Sequence, residues 1–212
     1  MDFTKREKAQ IQKLDTPAKV QDYLNSLKFN FEERGATLRS PLFTMRASEA
    51  HCFEGALLGA YIMSLHGFPP LVVHLKAHKS DYDHVVAPFK MNGHWGALSK
   101  TNHAVLRYRE PVYKNIRELV MSYFHEYFLN DGTKTLESYS DVMNLNDFEK
   151  GWETLDGNLW GIDGELDKVK HHPISHFSHG VNEGKAKNKL KLRKADKIEI
   201  EAGKIVEYKK PK

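Results

Sequence analysis

Apolar positions change period several times along the chain, and each change predicts an element. Val20, Tyr23, Leu24 and Leu27 recur at helical spacing behind Asp15, Thr16 and Pro17, which supply an N-cap and a first helical residue. Residues 31–47, punctuated by Gly35 and Pro41, read as a connection. Cys52, Ala56, Ala60 and Met63 then fall on one stripe, predicting a helix from about Ala50 to Leu65, with Ser48 or Glu49 at its start and Gly67 beyond its end. Three strand-like runs follow: "LVVHLKA" from Leu71, "DHVVAPFKM" from Asp83 and "HWGALSK" from His94. Asn92-Gly93 joins the last two as a hairpin turn, because both residues tolerate positive φ.

Helical spacing returns in residues 110–132, where Val112, Ile116, Leu119, Val120, Tyr123, Phe124 and Tyr127 form a stripe between Pro111 and Gly132. Beyond it the chain is turn-rich and aromatic without steady period, and two short strands are predicted around Ala202-Gly203. This divides the chain into a core with an N-terminal helix (residues 1–132), a turn-rich extension rich in aromatic residues and His (133–182) and a basic tail ending in a short hairpin (183–212).

Composition narrows the class. With 212 residues and 40% apolar content the chain buries a real core. One cysteine excludes an intramolecular disulfide and thiolate-built structural zinc, which fits a reducing compartment. The charged N-terminus has no signal-peptide core, and no run reaches the roughly 18 apolar residues of a membrane span, so the expectation is a cytoplasmic protein without membrane contact. The net charge of +4 belongs to the tail, where residues 183–212 hold eleven Lys and Arg against five Asp and Glu. A solvated face is the first reading of that run. Nucleic-acid binding ranks below it, because no aromatic residue interleaves the lysines from Lys185 to Lys197.

The candidate chemistry begins at Cys52. A thiol attacks a carbonyl as its thiolate, and a helix N-terminus favours that anion and offers N–H groups to an oxyanion. A base is also required. A two-residue turn at Asn92-Gly93 pairs Met91 with His94, which sets His84 across from Thr101 and makes Ser99 its diagonal neighbour on the same face. Asp83 points to the other face.

A cysteine opening a helix, a Gly-aromatic-Pro turn, a strand, then "DHVV" beginning a hairpin whose second strand carries Trp95 resembles the core of the transglutaminase-like superfamily. The likeness covers about Ala50 to Lys100, and the run "SKTNHAVLRYREPVYKNIRELVMSYFHEYF" also resembles a group of uncharacterised bacterial proteins with this core. The resemblance implies an α+β papain/transglutaminase-like fold, its nucleophile helix on an antiparallel sheet. It also implies acyl transfer with Cys52 as nucleophile and His84 as general base, without metal or organic cofactor. The superfamily's orienting aspartate falls at Ser99. Three alternatives stand: Ser99 orients His84 more weakly, Asn102 does so after a bulge, or the triad is degenerate.

The expected function is therefore a cysteine-dependent hydrolase or acyltransferase acting on a peptide, small amide or ester through a thioester. The competing class is a binding or scaffold module that keeps the fold without the chemistry. Other features weigh less. His51 reads as a cap partner or solvent-facing residue, and Arg107 and Arg109 as binders of a substrate carboxylate or of acidic neighbours. His171, His172, His176 and His179 have ligand-like spacings, but Pro173 interrupts them and no Cys, Asp or Glu lies inside the run, so a surface role outweighs a metal site.

Overall fold

The computed structural model describes residues 2–103, 105–129 and 131–174. The predicted C-terminal hairpin, the basic run, His176 and His179 lie outside the described residues. Helices α1 (Lys5–Gln12), α2 (Pro17–Ser26), α3 (Pro41–Ala47) and α4 (Cys52–Ser64) fill the first third, with the two-residue strands β1 (Lys28–Phe29) and β2 (Glu49–Ala50) paired in parallel. Strands β3 (Leu71–Ala77), β4 (His84–Met91), β5 (His94–Leu98) and β6 (Arg109–Tyr113) precede α5 (Ile116–Phe124). Then come β7 (Leu136–Ser140), β8 (Met143–Asn144), α6 (Trp160–Lys168) and β9 (His171–Pro173). The main sheet runs β6-β5-β4-β3-β7-β9, with β8 also on β3, and every pairing in it is antiparallel.

Alternation along the central strands creates two cores. Val85, Ala87 and Phe89 of β4 meet Ala56, Leu57 and Ala60 of α4 on one face, together with Leu24, Leu42 and Ile162 from α2, α3 and α6. Val86, Val73, Leu75 and Ala97 face the opposite way onto Leu119, Val120 and Tyr123 of α5. The result is an α+β sandwich of helices about one antiparallel sheet, with no described helix long and apolar enough to cross a membrane. Helix α4 is buried on nearly all sides, from Phe53 through Ala60, as expected of a helix held between other helices and a sheet.

The hairpin register agrees with the sequence: Met91 pairs with His94 and Ala87 with Leu98, and Asn92 and Gly93 take φ of 49° and 82°. Two expectations need correction. Residues 31–47 are not all connection, because Pro41 opens a seven-residue α3 that ends at left-handed Ser48; two turns are too short to show a period. The stripe from Val112 to Tyr127 is not one helix either. Arg109–Tyr113 is β6, and α5 starts only after the Asn115 cap, whose side chain accepts from Glu118 N. Pro111 is tolerated because β6 is the edge strand, where a missing N–H breaks no ladder.

Candidate active site

Cys52 is the first residue of α4, where the backbone N–H groups have no earlier carbonyl to bond. His51 caps the helix: Nδ1 accepts from Phe53 N (3.2 Å), Nε2 meets the Thr37 carbonyl (2.8 Å), and Glu54 returns the favour by accepting from His51 N (3.2 Å). Glu54 is itself fully buried, held by Arg39 Nε at 2.8 Å and by Thr37 and Asn30. A single carboxylate therefore ties the 30–39 segment to the turn that presents the cysteine.

On the hairpin side, buried His84 opens β4 and its Nε2 lies 2.7 Å from Ser99 Oγ. The Ser99 hydroxyl donates to the Leu106 carbonyl at 2.7 Å. A hydroxyl has one hydrogen, so Ser99 accepts from His84, which fixes the proton on Nε2 and leaves Nδ1 with a lone pair. Ser99 is in turn clamped by Gln21, which accepts from Ser99 N (2.9 Å) and donates to Ser99 O (2.8 Å). The structure thus brings Cys52, His84 and Ser99 together. Asn102 stands half-buried in the following loop, three residues beyond the hydroxyl that His84 Nε2 engages.

Electrostatics favour the thiolate. Burial of the Cys52 sulfur works against the anion, but hydrogen bonds and charge from His51 and His84 outweigh it and hold the thiol down at about 5. The sulfur also rests 3.9 Å from the Asp83 carbonyl. For His51, burial opposes a positive ring, but Cys52, Glu54 and the Thr37 carbonyl outweigh it and hold the ring up at about 9.

The remaining candidates resolve as follows. Arg109 pairs with Glu126 (2.8 Å), donates to the Val105, Tyr108 and Ser122 carbonyls and stacks on Tyr123, so it organises the β6–α5 corner. Arg107 reaches Asn25 Oδ1 at 3.4 Å. His172 bonds Asp141 at 2.6 Å, and His171 bonds His74 and the Val169 carbonyl. The Leu106 carbonyl, Gln21 and Glu54 are contributors that sequence reading did not single out. Only Glu54 left a signal there, as the third residue after a capping position.

A cysteine at a helix N-terminus and a histidine on an antiparallel hairpin, in an α+β fold of helices about one antiparallel sheet, is the arrangement expected of a papain/transglutaminase-like core. The family model described as Vasohibin matches residues 41–137, a span that contains Cys52, His84, Ser99 and Asn102. Among solved structures, LapG of Legionella pneumophila (EGTA-treated) is similar at 13% identity, with 77% of this chain and 79% of that chain covered, at a TM-score of 0.36, too loose a likeness to bear on mechanism. No curated protein matches the chain.

Proposed function

We propose that this protein is a cysteine-dependent acyl-transfer enzyme that cleaves a carboxamide or ester, in a peptide or a small amide, through a thioester on Cys52. His84 Nδ1 takes the thiol proton while Nε2–H stays on Ser99. The thiolate attacks the carbonyl carbon, and the developing oxyanion is stabilised by backbone N–H at the start of α4. Collapse expels the amine or alcohol, which receives its proton from the His84 imidazolium. Water, deprotonated by the same ring, then releases the acid. A hydroxyl leaning on a carbonyl orients the imidazolium and offers it partial negative charge, with less effect than a carboxylate.

The observation that carries this reading is the fixed tautomer of His84, set by the Ser99 hydroxyl and the Leu106 carbonyl behind it. A buried imidazole fixed by Ser99 beside a helix-terminal cysteine is what a thiolate–imidazolium pair requires, and a scaffold with decayed chemistry has no need of it. The test is acid quench of the full chain with p-nitrophenyl acetate, followed by intact-mass and peptide mapping. Acyl-Cys52 with a burst of p-nitrophenol, absent in Cys52→Ser, supports the proposal. An unmodified wild-type protein with no burst overturns it.

A further inference from the structure

A second group of titratable side chains borders the site without a part in the chemistry above. His74, on β3, is buried. Its Nε2 lies 3.1 Å from Asp83 Oδ2, and its Nδ1 lies 3.1 Å from Nε2 of His171 on β9. His171 Nδ1 in turn lies 2.7 Å from the Val169 carbonyl. Asp83 is held as an acceptor at both oxygens, Oδ1 taking the Ala77 N–H at 2.7 Å.

Each of these contacts requires one proton, and the partners dictate where it sits. Asp83 is held ionised against its burial by His74 and the Ala77 N–H, so the outer proton is on His74 Nε2. A carbonyl cannot donate, so His171 carries a proton on Nδ1. The inner contact, nitrogen to nitrogen, needs a third. Two neutral imidazoles supply only two protons, so the three bonds are satisfied together only when the pair carries one extra. Without it, two lone pairs face each other at hydrogen-bond distance. Burial, opposed by the Val169 carbonyl, holds His171 below the ordinary histidine value, which disfavours a charge of its own on that ring.

We propose that Asp83, His74 and His171 form a positioning relay in which the two rings share one extra proton, and that this relay holds the Asp83 main chain against Cys52. The link to the site is direct: Asp83 O touches the sulfur, and Asp83 immediately precedes His84. The charged groups around the pair are Asp83 itself, Lys76 on β3 and Asp163 and Asp167 on α6, while His172 is engaged with Asp141. The inner contact is a hydrogen bond only while the pair holds the extra proton, and it is lost when that proton leaves. The relay rests on the acyl-transfer reading only for what it regulates.

The experiment is a titration of the full chain, labelled with ¹⁵N in its histidine rings, from about pH 5 to about pH 8, alongside the iodoacetamide alkylation rate of Cys52. The expected result is one joint titration of His74 and His171, with His74 Nε2 and His171 Nδ1 protonated on both sides of it. In Asp83→Asn that titration moves toward acid by about one pH unit or more. In His171→Phe, His74 titrates alone and the alkylation profile loses the matching limb. Independent titrations, two neutral rings throughout, or an alkylation profile unaltered by His171→Phe overturn the proposal. Failure of the acyl-transfer reading registers separately, as absence of acyl-Cys52 with the joint titration intact.

Discussion

His84 Nε2 and Ser99 Oγ are 2.7 Å apart, and the hydroxyl passes its own hydrogen on to the Leu106 carbonyl at the same distance. This direction of bonding makes Ser99 an acceptor, so Ser99→Ala leaves the buried ring without its partner. The expected outcome is a fall of about 10²-fold in the rate of Cys52 acylation by p-nitrophenyl acetate, with the fold retained by circular dichroism.

Restoring a carboxylate at this position is not expected to help. In Ser99→Asp the new oxygens face the Leu106 carbonyl, which can only accept, in a position with no solvent access. We expect a loss of about 1–3 kcal/mol in urea-unfolding stability and no gain in acylation rate.

Gly55 lies one turn into α4 and faces the hairpin end. A Cβ there comes 2.3 Å from Lys100 Cβ, and Lys100 follows Ser99 directly. Lys100 is buried and bonds the Leu27 carbonyl, so it has no room to withdraw. Gly55→Ala is therefore expected to destabilise by about 1–3 kcal/mol and to slow acylation together with it, checked by paired denaturation and burst measurements.

Glu54 makes stability depend on pH. Burial raises its carboxyl value, but Arg39, His51 and Asn30 outweigh this and hold it below the ordinary carboxylate range. Its contribution is complete above the unfolded value of about 4.3 and is lost as pH falls through the lower folded value. Glu54→Gln is expected to flatten the acid limb of stability, measured as urea midpoints across that window. Glu54→Ala leaves Arg39 short of its buried partner and is expected to cost about 3–5 kcal/mol.

The strands and the site order were legible because they depend on local rules. Period two, a positive-φ turn pair and a helix stripe suffice to set His84 near Ser99 and Cys52 at a helix start. The partners behind these residues were not legible. Leu106 contributes a main-chain carbonyl, which no residue type signals, and Gln21 reaches Ser99 across seventy-eight positions of chain. The break between β6 and α5 was hidden because an edge strand and a helix share apolar positions from Val112 onward, and only the Asn115 cap separates them. The His74–His171 contact depends on β9 joining β7, a pairing set by tertiary packing of a three-residue strand.

The central claim is that Cys52 is held as a thiolate by His84, and the pH dependence of its alkylation by iodoacetamide, followed by mass spectrometry, tests it most directly. The expected profile for the full chain rises with a midpoint of about 5, and in His84→Ala that midpoint moves up toward the ordinary thiol range. A wild-type midpoint at the ordinary value of about 8.5, unaltered by His84→Ala, contradicts the account.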